Sequence, residues 1–395
     1  MAPGSHSAAP NAVGYQHQTW WALVELLGSG VDRPDASISL ELHDDVAWEA
    51  DNNPTHLLQV KHHQLTHRAL TDTSPDVWRT LKVWMDTAAP GDASGPQLLL
   101  ITTQTAAAGT AIAALRPETL DEKTALIGLE AVARDTTSQQ TKPAREQFLE
   151  LSPADRRAFL TRIRVIDGSP HIHDVPALVR THLHWALPTG HEELFLAMIW
   201  RWWDEQALAM LQGRISSLDV GVARSAIADI RDHFTSESLP TLVELLDVDG
   251  ETVAAEYRTH TFVQQMQWVA YPPRNLQKAI VDYYRAYVQT VRWLDEDLIG
   301  VAELNRFEAE LIDEWDREFD WMLDTLDDDA DEAAKQEAGK QMLRQLLAQT
   351  GISVRARYNE PFFVRGKRHV LADAGRIGWH PDFESRIERL LKVDA

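Results

Sequence analysis

Hydrophobic patterning changes character about a third of the way along the chain. Before residue 117, short apolar, β-rich runs at 38–42, 46–48 and 57–60 stand between two amphipathic helical stretches, 19–27 and 77–84. Alternation of period two argues strand and a period of 3.6 argues helix. The cluster Asp51-Asn52-Asn53-Pro54 separates the second run from the third and reads as a turn between paired strands. Residues 97–102 (QLLLIT) read as a buried strand, with a helix expected behind it at 106–115. From Thr119 the pattern turns almost wholly helical, with segments expected at 118–135, 144–163, 174–186 and 190–212, then at 220–234, 251–271, 275–296, 301–326 and 331–349. Ser152 and Pro153 suit a helix start, and Pro272-Pro273 separates two helices. The expected class is α+β. A mixed sheet flanked by helices fills 1–117, a helical linker domain 118–213, and an all-helical C-terminal domain 214–395.

The hairpin carries the chemistry. Side chains alternate across a strand, so Gln59 and Lys61 share a face about 7 Å apart, and Asp45 on the adjacent strand can point to that face once the hairpin closes. Hydrolysis of a phosphodiester at neutral pH needs a divalent cation to polarise phosphoryl oxygens and acidify a bound water. Asp45 is the candidate ligand for that ion, with Glu41 an outer or water-mediated carboxylate and Gln59 a carbonyl donor. A lysine ammonium at Lys61 can orient the water and screen charge that builds on the phosphate. A QVK strand with acidic neighbours is also a common solvated strand edge, so flanking sequence decides between the two readings. Upstream, Gly14-Tyr15-Gln16-His17-Gln18 leads into the first helix; downstream, Leu70-Thr71-Asp72 leads into the Trp-rich helix around Trp78 and Trp84.

The order G-Y-x-x-Q, E-x-x-D-D-V, Q-V-K-H and L-T-D resembles the restriction-endonuclease-like superfamily with the PD-(D/E)xK core. More narrowly, it is similar to the double-stranded DNA endonuclease domain of bacterial anti-phage effectors, including those of Lamassu-type ABC-three-component systems. The resemblance spans roughly the first 115 residues. It implies that Gln18 faces the site, that Glu41, Asp45 and Gln59 hold Mg2+ or Mn2+, and that Gln59 and Lys61 form a QxK variant of the motif. Gln59 stands where the superfamily usually has an acidic residue, which leaves the number of ions open.

Strings further along resemble the C-terminal domain of the same effectors: Phe262 to Met266 (FVQQM), Ala279 to Ala286 (AIVDYYRA) with Trp293, Leu311 to Trp315 (LIDEW), Val364-Arg365-Gly366, and Gly378 to Asp382 (GWHPD). Such a domain implies an SMC-like ATPase that senses DNA and a small accessory subunit as partners. GWHPD is a Gly- and Pro-punctuated loop suited either to locking the tail against a bundle or to docking a partner.

Composition then bounds these readings. The chain has 395 residues, 44% of them hydrophobic, with 14 Trp, enough for two or three domains with real cores. The absence of cysteine excludes disulfides, thiolate metal sites and cysteine nucleophiles, and agrees with a reducing cytoplasm. Residues 1–11 lack a basic segment before an apolar core, so no secretion signal is expected, and no apolar run is long enough to span a membrane. Net charge is −22, and residues 1–100 carry 5 Lys and Arg against 12 Asp and Glu, a net of −7. Such a chain should repel a polyanion at long range, so either metal ions neutralise part of the site or productive DNA binding needs assembly with subunits that supply basic surface. The resemblance to restriction-like domains, which often need two copies to cut both strands, implies self-association when active.

Other conspicuous residues invite structural readings. His171 with His173, and His182 with His184, are spaced i,i+2, which does not share a helix face, and neither they nor His191 match a metal motif. Trp200, Trp202 and Trp203 read as helix packing, and the acidic run 324–332 as a solvated loop. The reading favoured is an Mg-dependent double-stranded DNA endonuclease effector, docked on or held inactive by the ATPase and activated by assembly or oligomerisation. A non-catalytic assembly subunit with a nuclease-like binding domain is the alternative.

Overall fold

The structure is a computed structural model that describes residues 9–63, 69–135, 138–243, 250–327 and 329–393. It forms two compact units, Met1–Asp229 and Ile230–Ala395.

The first unit contains α1 (Ala9–Ser29), β1 (Ser37–Leu40), β2 (Val46–Ala50), β3 (Asn53–Lys61), α2 (Pro75–Thr87), β4 (Gln97–Thr102), α3 (Glu122–Ala133), α4 (Lys142–Glu150), α5 (Pro153–Thr161), β5 (Ile163–Ile166), α6 (Val175–His182), α7 (Glu192–Leu211) and β6 (Leu218–Asp219). Helix α8 (Val220–Asp232) begins here and continues three residues past the boundary. The strands make one mixed sheet in the order β5-β4-β3-β2-β1-β6. Strands β1, β2 and β3 pair antiparallel through short connections, whereas β3, β4 and β5 are parallel. Parallel neighbours need a crossover, and α2 and then α3 to α5 supply them. Asp51 and Asn52 both have positive φ, 52° and 60°, the backbone of a tight hairpin turn that Asn tolerates well.

Four expectations change, the simplest being that the helix expected at 251–271 is two, Gly250–Glu256 and Thr261–Trp268, with a 3-10 turn at Tyr257–Thr259 between them. The region 106–115 is not an α-helix but a series of bends ending in one 3-10 turn, Ala113–Leu115. Gly109 adopts φ 83° in its middle, and the Asp72 carboxylate takes the backbone N–H groups of Ala111 and Ile112, each at 3.0 Å. The Leu70-Thr71-Asp72 string is thus a loop staple. The helix expected at 144–163 is two helices, α4 and α5, because Ser152 caps the second by accepting from Asp155 N at 3.1 Å; strand β5 follows it directly. Finally, β5 and β6 lie in the same sheet as β1 to β4. The boundaries drawn at 117 and 213 therefore cut through one compact unit.

The second unit is helical: α9 (Gly250–Glu256), α10 (Thr261–Trp268), α11 (Pro273–Asp295), α12 (Val301–Asp324), α13 (Glu332–Ala348), α14 (Pro361–Asp373) and α15 (Phe383–Val393). Its centre is α14, which packs on α10, α11 and α12 and buries Phe362, Phe363, Val364, Leu371 and Ala372 together with Lys367, Arg368 and His369. Burying charge demands partners. Lys367 meets Glu308 at 2.7 Å, and Arg368 meets Glu314 at 2.6 Å and the carbonyl of Gln349 at 2.6 Å. Gly366 faces α11 so closely that a Cβ would collide with the Asp282 carbonyl and Ala286.

Several of the strings singled out in the C-terminal sequence meet around this helix. Gln265, fully buried, donates to the carbonyls of Ala372 (2.7 Å) and Ile377 (3.3 Å) and accepts from Trp379 N (3.3 Å). Trp315 donates to the Gly378 carbonyl at 2.8 Å. Trp379 and His380 are themselves buried, so the GWHPD loop is a lock within the bundle.

Candidate active site

Strand register places the site. With Val46 opposite Leu58, Asp45, in the bend just before β2, comes beside the end of β3. It accepts hydrogen bonds from Gln59 Nε2 (3.0 Å), Val60 N (2.9 Å) and Lys61 Nζ (3.2 Å). The bend itself is closed by Glu41 N donating to the Asp45 carbonyl at 3.3 Å. Glu41 sits at φ 54°, left-handed backbone that non-glycine residues rarely adopt. Gln18, Glu41, Asp45 and Lys61 line one open pocket of about 430 Å³ together with His63 and Asp76. Four of the five expected residues thus share a cavity.

Gln59 behaves differently from the expectation. It is buried, and its amide nitrogen, not its carbonyl, is turned to the carboxylates, donating to Asp44 as well as Asp45. In this arrangement it positions Asp45 and does not offer an oxygen to an ion.

Three carboxylates crowd this corner. Asp44 is buried, accepts from Trp84 Nε1 at 2.7 Å and from Gln59, and burial pushes its carboxyl up to about 6. Glu41 is also raised, by burial first and then by repulsion from Asp45 and Asp44, with Lys61 opposing. Neither Asp44 nor Trp84 was singled out as a site residue. Asp44 was visible as the neighbour of Asp45, but its tie to a tryptophan 40 positions away on α2 was not. The sequence reading also passed over His63, whose Nε2 lies 3.0 Å from Asp76 Oδ2 at the start of α2; this hydrogen bond is the main reason the Asp76 carboxyl falls below its usual range.

The carboxylates at the pocket wall are Asp45, Glu41 and Asp76, with His62 and His63 beside them. Carboxylate oxygens fit a hard cation such as Mg2+, which takes one or two carboxylates and completes its shell with water and substrate phosphate. No thiolate is present, His63 is engaged with Asp76 at 3.0 Å, and His62 packs against His17 and His171.

The other histidines take their places in the fold. His171 and His173 stack at 5.6 Å, His171 meets His62 edge-on at 5.7 Å, and His62 lies 4.7 Å from buried His17. Trp203 is buried and donates to the Thr19 carbonyl at 2.9 Å, and Trp200 packs on Trp20. Among the described residues, the one group with three close potential ligand atoms is Glu332, His380 and Asp382. Cations already fill it: Arg386 Nη2 lies 3.1 Å from His380 Nε2 and 2.7 Å from Glu332, and Lys335 lies 3.0 Å from Asp382. The acidic run 324–332 lies partly outside the described residues.

Residues 262–387 match the family described as C-terminal domain 7 of the ABC-three component (ABC-3C) systems. No curated protein and no solved structure matches the chain. The family match ties the second unit to a multi-component system and so implies other subunits. Among the described residues, no helix is long and apolar enough to cross a membrane.

Proposed function

We propose that the chain is the effector of an anti-phage ABC-three-component complex and that its first unit is a metal-dependent endonuclease acting on double-stranded DNA. The observation that carries this reading is the convergence of Lys61 and Asp45, 3.2 Å apart, with Glu41 and Gln18 around one open pocket. The element order α1-β1-β2-β3-α2-β4 supports it, because a helix, an antiparallel meander and a crossover to a parallel strand form the core expected of a restriction-like nuclease. Asp45 and Glu41 would hold Mg2+ or Mn2+, which when bound polarises the phosphoryl oxygens and acidifies a water. Gln59 and Val60 N fix the Asp45 carboxylate. Lys61 orients the attacking water and balances charge on the phosphate, and Gln18 faces the substrate from α1. The second unit would dock this nuclease on an SMC-like ATPase and a small accessory subunit, with activity released by assembly or self-association.

A non-catalytic assembly role draws on one observation. Lys61 already neutralises Asp45, and among the described residues no three ligand groups at this pocket lie close enough to one another to grip an ion unaided. Plasmid cleavage in Mg2+ decides between the two. The full chain, alone and with the other components of its system, should cut, and Lys61→Ala and Asp45→Ala should each lose at least about a hundredfold in rate, the scale of removing an electrostatic catalytic group. Equal cutting by wild type and both variants, with all three folded by circular dichroism, would sink the catalytic assignment.

A further inference from the structure

The second unit contains a cavity of about 890 Å³ walled by α11, α14 and the end of α13, within the roughly 300–1,000 Å³ typical of small-molecule sites. Its charged lining sets Arg274, Lys278 and Arg365 against two carboxylates, Glu251 from α9 and Asp282. Arg274 and Lys278 stand one turn apart on α11, both exposed, and present their cations on one face. One turn further along the same face is Asp282, its side chain 18% exposed and met only loosely by Arg365, at 3.8 Å. Burial pushes the Asp282 carboxyl up to about 6, which marks a group short of N–H donors. Tyr271 adds an aromatic ring to the wall. His369, 1% exposed, completes it with a ring whose Nδ1 has no hydrogen-bond partner.

This combination narrows the ligand. A plain anion would satisfy Arg274 and Lys278 and be repelled by Asp282. A plain cation would suit Asp282 and Glu251 and be repelled by Arg274, Lys278 and Arg365. A molecule with an anionic end and a ring bearing N–H donors answers both, and its ring can lie against Tyr271. Arg274 and Asp282 are eight residues apart, ~12 Å along the helix axis, close to the reach from phosphate to base edge in a nucleotide. We propose that this cavity binds a nucleoside phosphate, with the phosphate on Arg274 and Lys278 and an N–H edge of the base on Asp282.

Isothermal titration of the full chain in metal-free buffer, with AMP, GMP, ATP and GTP in turn and inorganic pyrophosphate as the base-free probe, tests this. At least one nucleotide should bind one-to-one with a Kd below about 1 mM. Lys278→Glu should weaken it at least tenfold. Asp282→Asn should weaken the nucleotide while leaving pyrophosphate binding as tight as in wild type or tighter, since a repelling charge is removed. Lys278 is exposed, so its variant should keep the wild-type melting temperature, which separates lost binding from lost folding. Absence of binding by all four nucleotides overturns the proposal, as does a nucleotide that binds Lys278→Glu as tightly as wild type. Pyrophosphate binding as tight as the best nucleotide overturns the part given to the base.

Discussion

Asp45 accepts hydrogen bonds from three successive residues of β3, so its carboxylate is fixed to that strand wherever the strand goes. This much follows from alternation along β3 and from a two-residue turn, both legible in the residues themselves. What was not legible is the shell behind it: Trp84 on Asp44 depends on how α2 crosses the sheet, and the rotation of the Gln59 amide depends on Asp44 being there. Asp282 makes a residue-scale prediction about pH. Its folded carboxyl is raised from 3.8 to about 6 by burial, so the folded state binds more protons than the unfolded one between those values. Its contribution to stability is therefore fully present below about pH 4 and is lost as pH rises through about 6. Asp282→Asn should flatten the slope of melting temperature against pH between 4 and 6. It should also raise stability at pH 7.5 by on the order of 1–2 kcal/mol. An unchanged slope would remove Asp282 as its source.

Elements were legible where period and punctuation agreed. Strand β4 falls at the expected 97–102, the β2 to β3 turn falls within the expected Asp51 to Pro54 cluster, at Asp51-Asn52 with Asn53 and Pro54 already in β3, and α11, α12 and α13 lie within a few residues of expectation. Elements that are short or buried all round were missed. β5 has four residues and follows α5 with no turn residue between them. α14 carries Arg365, Lys367, Arg368 and His369 where an amphipathic helix would show an apolar stripe, because its charges are paired inward with Glu308 and Glu314. The same helix makes an element-scale prediction. Gly366→Ala puts a methyl group into the backbone of α11, and overpacking of this kind costs about 1–3 kcal/mol. Urea unfolding should show a matching fall in midpoint with little change in slope; an unaltered midpoint would mean that α11 and α14 separate without cost.

Across the whole molecule the dominant fact is charge. A net of −22 is the reverse of what a stand-alone DNA-binding protein carries, since affinity for duplex DNA comes largely from cations that displace counterions. The chain by itself should therefore bind duplex DNA weakly and with a shallow salt dependence, a log–log slope smaller in magnitude than about 3. Addition of the other components of its system should steepen that slope. Fluorescence anisotropy of a labelled duplex across a salt series measures both, and a steep slope for the chain alone would show a basic face that its composition does not suggest. Sequence patterning conveyed two kinds of architecture but not their division. The sheet recruits strands as late as residues 163–166 and 218–219, and pairing across such separations leaves no mark in local periodicity.

The position of α14 has a consequence for how the protein is made. The sheet of the first unit has all its strands once residue 219 has left the ribosome, but the bundle that follows lacks its central helix until residue 373 and its closing loop until residue 382. Domains fold as they emerge, N-terminal first, so every newborn chain carries a finished sheet while its C-terminal half has nothing to pack around. Anything that depends on the packed second unit is therefore absent from the chain during that interval.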